Sequence, residues 1–102
     1  MSLQIEHVDD NGAATIKVPG EVDLYSSPDL RAAVHQSLGK AKSAVQVDLS
    51  GVPYMDSSGV ATLVEGMRNA KQKKVNFIIK SPSESVMKVL RLSKLDTVFE
   101  IR

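Results

Sequence analysis

A chain of 102 residues has room for one hydrophobic core but not two. Its 42% apolar content is ordinary for a globular protein, and with four aromatic residues and no tryptophan the core must be aliphatic. The lack of cysteine excludes disulfides, thiolate chemistry and cysteine-based metal sites, and a net charge of +1 argues against general nucleic-acid binding.

Leu3 to Val8 reads as a strand, and Asp10-Asn11-Gly12 as a tight hairpin turn, because Asn and Gly tolerate positive φ. Ala14, Ile16 and Val18 alternate with Thr15 and Lys17, which predicts a second strand antiparallel to the first. Pro19-Gly20 stops it. Ser27-Pro28-Asp29 reads as a helix start with Ser27 as the cap, Leu30, Ala33, Val34 and Leu38 share one helical face, and Gly39 suits the end. Val45, Val47 and Leu49 alternate with Gln46 and Asp48, a third strand. Val60, Leu63, Val64 and Met67 recur with helical spacing, so a second helix is predicted from about Ser57 to Lys73. Val75 to Ile79 reads as a fourth strand. Ser81-Pro82-Ser83-Glu84 matches a capping box before a third helix that carries Val86, Val89 and Leu90, and Val98 to Ile101 reads as a short last strand or a packing segment. Strands alternating with helices imply parallel pairing through right-handed crossovers. The expectation is an α/β domain over residues 1–102, a small mixed β-sheet of an N-terminal hairpin plus parallel strands packed against helices.

Charge is unevenly placed. Residues 1–59 hold eight acids and four bases, and residues 60–102 hold four acids and nine bases. Lys71, Lys73 and Lys74 suit the negative end of the second helix. The N-terminal stretch MSLQIEHVDD has no basic, then apolar, signal pattern, and no segment approaches the ~18 apolar residues that span a bilayer. A soluble, cytoplasmic protein with no direct membrane insertion is expected.

In a parallel sheet the loops leaving the carboxyl ends of the strands share one edge, where ligands and partners bind. Two such loops stand out: Gly20-Glu21-Val22-Asp23-Leu24-Tyr25-Ser26 and Gly51-Val52-Pro53-Tyr54-Met55-Asp56-Ser57-Ser58. If their strands are neighbours, Glu21, Asp23 and Asp56 surround Ser57 and Ser58 at a helix N-terminus. The plain alternative is structural. A serine or aspartate at a helix start is usually a cap, with either Asp56 or a serine in that role, and Glu21 and Asp23 would then belong to a solvated turn. A serine nucleophile needs a base, but His7 and His35 lie outside both loops and read as surface residues. There is no G-x-S-x-G elbow and no P-loop, and no metal-coordination motif joins the three carboxylates. The chain reads as a non-enzyme with no cofactor and no metal.

The stretch VDLSGVPYMDSSGVATLVEG (Val47–Gly66) resembles the signature of STAS domains, specifically the stand-alone anti-sigma factor antagonists of bacteria. PGEVDLYSSPDLRAAV (Pro19–Val34) resembles the second family signature, and KSPSESVMKVLRLSKLDTVFEI (Lys80–Ile101) is similar to the family's C-terminal helix and tail. The resemblance implies that Ser57 is phosphorylated, that Ser58 stands where relatives carry Ser or Thr, and that Asp23 matches an aspartate linked to partner binding. It further implies that the unmodified form binds an anti-sigma factor that is also a serine kinase and so releases the sigma factor. Phosphorylation ends that binding, and a serine phosphatase resets the cycle. Glu21, Asp23, Tyr54, Met55, Asp56, Ser58 and Gly59 are the expected partner-binding residues, with Val60 and Leu63 assigned to the core. A second role within the same family is a partner subunit on the ATPase of a lipid-transport ABC complex.

Overall fold

The computed structural model describes residues 3–102. Its elements are β1 (Glu6–Asp10), β2 (Ala13–Lys17), α1 (Ser27–Lys40), β3 (Ala44–Asp48), α2 (Ser57–Gln72), β4 (Asn76–Lys80), α3 (Glu84–Leu92) and β5 (Glu100–Ile101). The strands lie in the order β1-β2-β3-β4-β5. β1 and β2 are antiparallel, and every later pair is parallel. The expected α/β arrangement, a hairpin leading into a parallel sheet, is therefore the one found.

Each crossover moves one strand along in the same direction, so right-handed connections put all the helices on one face of the sheet. The burial pattern agrees. Ile16, Val47 and Ile79 stand in register across β2, β3 and β4, and all three are fully buried. They form one cluster with Leu30 and Val34 of α1, Leu63 and Ala70 of α2, and Val86 and Leu90 of α3. The intervening positions Thr15, Gln46 and Asp48 point to the other face and are half-buried. Ile78 shares that face and is buried outside the main cluster, between its register neighbours Gln46 and Glu100.

Several boundaries differ from expectation, each for a local reason. β1 begins at Glu6 and runs to Asp10, because the ladder closes directly on the turn, where Asn11 (φ 50°) and Gly12 (φ 88°) are both left-handed. Leu3 and Ile5 instead pack against the core as a lead-in. β4 starts one residue later, at Asn76, since the Val75 N–H is bonded to the Ala70 carbonyl in the turn that ends α2. α1 is capped at Ser26, which places Ser27 inside the helix; Gly39 also lies inside it, and Ala41 is the residue that leaves. The cap of α3 is Ser83, whose hydroxyl accepts from Val86 N–H, while Ser81 sits in the left-handed region before Pro82. The last strand is reduced to Glu100–Ile101.

Candidate functional site at the carboxyl edge of the sheet

Beyond the ends of β2 and β3 the two loops remain joined. Val22 N–H donates to the Tyr54 carbonyl (3.0 Å), and Asp56 N–H donates to the Val22 carbonyl (3.0 Å), making a parallel bridge between Val22 and Met55. Both bridge side chains face down into the core, Val22 fully buried and Met55 1% exposed. Met55, expected as a partner contact, is therefore part of the floor beneath the site. Gly59 is buried there too. A Cβ on it would come within 2.6 Å of the Met55 side chain and 2.8 Å of Val22, so glycine lets the first turn of α2 rest on the bridge. Gly59 offers a partner no side chain; it positions its neighbours.

The cap of α2 is Asp56. Its Oδ1 accepts from Ser58 N–H (2.9 Å), Ser58 Oγ (2.5 Å) and, more weakly, Gly59 N–H (3.4 Å). The Ser58 hydroxyl, then its N–H, hold the Asp56 carboxyl below the ordinary carboxylate range, against a nearby Asp23 charge that works the other way. Asp23 is held in the same manner. Its Oδ1 accepts from Tyr25 N–H (2.9 Å), Ser26 N–H (3.0 Å) and Ser26 Oγ (3.1 Å), and the Ser26 backbone bond is the main cause of its lowered pKa. Ser26 Oγ also reaches the Glu21 carbonyl (2.9 Å) and accepts from Asp23 N–H (2.9 Å), closing the loop on itself.

Ser57 is the first residue of α2 and is exposed, and among the described residues its hydroxyl is in no hydrogen bond. Ser58 is half-buried and spent on the cap. The two serines are thus chemically distinct, a difference the sequence did not resolve. Asp56 feels the charge of Asp23, and among the described residues no three His, Cys, Asp or Glu side chains come together to hold a metal. Glu21 is exposed on the same loop.

Sequence reasoning passed over two residues. Leu24 is 68% and Tyr25 85% exposed, and with Tyr54 at 49% they place large apolar side chains in water on the loops around Ser57. The available signal was two bulky apolar residues in a segment with no strand or helix period. Neither His7 nor His35 belongs to this edge; both are exposed, on β1 and α1.

The family model of the STAS domain matches residues 3–102. The chain belongs to the STAS family. Among STAS relatives it is 28% identical over 101 residues to the "Anti-sigma-B factor antagonist" of Staphylococcus epidermidis, covering 99% of this chain and 94% of that one. The protein of the same description from Listeria monocytogenes is 26% identical over 103 residues, covering 100% and 90%. Of solved STAS structures, the antagonist SpoIIAA in its unphosphorylated form superposes with a TM-score of 0.79 at 25% identity, over 98% of this chain and 87% of that one. The Bacillus SpoIIAA in its phosphorylated form gives a TM-score of 0.73 at 24% identity, over 98% and 90%. Among the described residues no helix is long and apolar enough to cross a membrane.

Proposed function

We propose that this STAS protein is an anti-sigma factor antagonist whose binding is switched off by phosphorylation of Ser57. The observation that carries the reading is the unbonded, exposed Ser57 hydroxyl at the N-terminus of α2, with exposed Leu24, Tyr25 and Tyr54 on the two joined loops of the same edge. A docking patch needs apolar anchors and a polar rim, and this edge has both, with Asp23, Asp56 and Glu21 as the rim. Relatives named as antagonists of an anti-sigma factor, and a family member known in phosphorylated and unphosphorylated forms, support the same role. The partner is an anti-sigma factor with serine kinase activity, and a serine phosphatase reverses the modification. The chain itself is a regulator; the kinase supplies the chemistry and the nucleotide, in the cytoplasm.

Phosphorylation adds about −1.5 to −2 charges. The first turn of α2 tolerates them, because the helix dipole is positive there. A partner surface fitted to a neutral hydroxyl beside two carboxylates does not tolerate them, through repulsion and desolvation. Incubation with the anti-sigma kinase and ATP should add one phosphate, about 80 Da by intact mass, to the wild type and none to Ser57→Ala. Ser57→Asp should weaken binding by roughly a hundredfold, about 3 kcal/mol, with the thermal transition nearly unchanged. A wild-type chain that binds the kinase equally well before and after modification would end this reading. Recovery of a transporter ATPase as the sole partner would favour the other STAS role.

A further inference from the structure

We propose that Asp56 selects which of the two adjacent serines receives the phosphate: by holding the Ser58 hydroxyl it takes that residue out of use and leaves Ser57 as the one presented. This rests on Ser57 as phosphoacceptor, argued above. Ser58 Oγ lies 2.5 Å from Asp56 Oδ1, and Ser58 N–H is bonded to the same oxygen at 2.9 Å, so both backbone and side chain of Ser58 are fixed on the cap. The Ser58 carbonyl is engaged too, accepting from the buried Thr62 hydroxyl at 2.9 Å. Ser57, one residue earlier, carries no such tie and is the more exposed.

In the transfer, a serine Oγ forms a bond to the γ-phosphorus of ATP held by the kinase. The bridging oxygen bond to that phosphorus breaks, ADP leaves, and the hydroxyl proton passes to a base of the kinase. Ser58 is unsuited to this on two counts. Its proton points at Asp56 and not at an incoming base, and a carboxylate at hydrogen-bond distance repels the approaching triphosphate. Freed from Asp56, the Ser58 hydroxyl would turn outward and become a second acceptor on the same helix start. Ser58 is thus a latent modification site, masked by its neighbour.

Two measurements test this. Without any kinase, hydroxyl-proton exchange by NMR in the wild type should be at least about tenfold slower for Ser58 than for Ser57, the ratio that a 1.4 kcal/mol bond gives. The protection should vanish in Asp56→Gly, a substitution that a helix cap position accepts at little cost. With the kinase and ATP, and the modified residue located by fragmentation, Ser57→Ala should take no phosphate. The double variant Ser57→Ala with Asp56→Gly should take it on Ser58, under conditions in which Ser57→Ala alone takes none. Equal exchange at the two hydroxyls, or labelling of Ser58 in Ser57→Ala with Asp56 intact, overturns the proposal. So does an unlabelled double variant when Asp56→Gly alone still accepts phosphate on Ser57. A wild type that is never labelled overturns the phosphoacceptor reading itself, and leaves the exchange result to decide whether the Asp56–Ser58 clamp exists.

Discussion

Three aspartates carry carboxylates pulled below their ordinary range, each by the donors of a nearby serine. For Asp56 these are the Ser58 hydroxyl and N–H, and for Asp23 the Ser26 backbone and hydroxyl. For Asp48, burial works against ionisation, yet Ser50 donors and the flanking Lys80 and Lys17 charges outweigh it. A folded-state pKa below the unfolded one contributes stability that is fully present above the unfolded value, near pH 4, and is lost as pH falls through the folded one. The thermal midpoint should therefore be flat from about pH 7 to pH 5 and fall below about pH 4. Asp56→Asn, which keeps a capping oxygen but cannot titrate, should show a shallower acid fall in a melting series. At this scale the residue types were legible and their directions were not. YMDSSG announces a helix start, but only the backbone shows that Tyr54 faces water while Met55 faces the core. The reason is that consecutive residues of an extended bridge point opposite ways, and residues 54–56 form such a bridge with Val22.

At the level of elements, two glycines make opposite predictions. Gly39 lies inside α1, and a Cβ there would meet nothing within 4 Å. Gly39→Ala should stabilise by about 0.5–1 kcal/mol, since alanine costs less backbone entropy in a helix. Gly59 is also helical, in the first turn of α2, but its Cβ would strike Met55 and Val22. Gly59→Ala should cost roughly 1–3 kcal/mol and lift the start of α2 off the bridge, weakening partner binding along with stability. Urea melts of the two variants beside the wild type read both signs. The elements themselves were visible in the sequence because each alternates or recurs at its own period. The ends of α2 were visible too, from Ser57 to the Lys73 cap, but the start of α1 was not, because there the cap is a choice between neighbouring serines that tertiary bonds decide. Ser26 is the cap of α1 even though Ser27 precedes the proline, and its hydroxyl is used by the Glu21–Asp23 loop instead of by the helix.

Over the whole molecule, both edges of the sheet carry mixed charge: Lys17 and Lys80 end β2 and β4 on the carboxyl edge, and Asp9 and Asp10 end β1 on the other, so the acidic character belongs to the two loops around Ser57. α2 has 16 residues, roughly 24 Å of helix, so Lys71 and Lys73 stand far from Ser57 at its other end. Lys40, the last residue of α1, and Lys42 and Lys74 in the turns are exposed at that same far edge. The acidic loops with Glu21, Asp23 and Asp56 should draw a partner that presents basic groups. Its association rate should fall as salt rises from about 0.05 to 0.5 M, since the screening length shortens from above 10 Å to a few ångströms. Stopped-flow mixing over that range measures it. A rate indifferent to salt would argue for docking through Leu24, Tyr25 and Tyr54 alone. The mix of one antiparallel hairpin with parallel strands was readable in advance, but that β2 and β3 are neighbours was not, because right-handed crossovers fix the face a helix covers and not the strand order. The sharing of one lip by two loops was not, since it depends on two hydrogen bonds between residues more than thirty positions apart.

That tie between Val22 and residues 54–56 has a kinetic consequence. The lip that the proposed partner would meet is already assembled in the free chain, so an encounter would have little loop ordering to wait for. On the proposed cycle, the rate of switching would then be set by the modifying enzymes, since neither docking nor release calls for the chain to unfold.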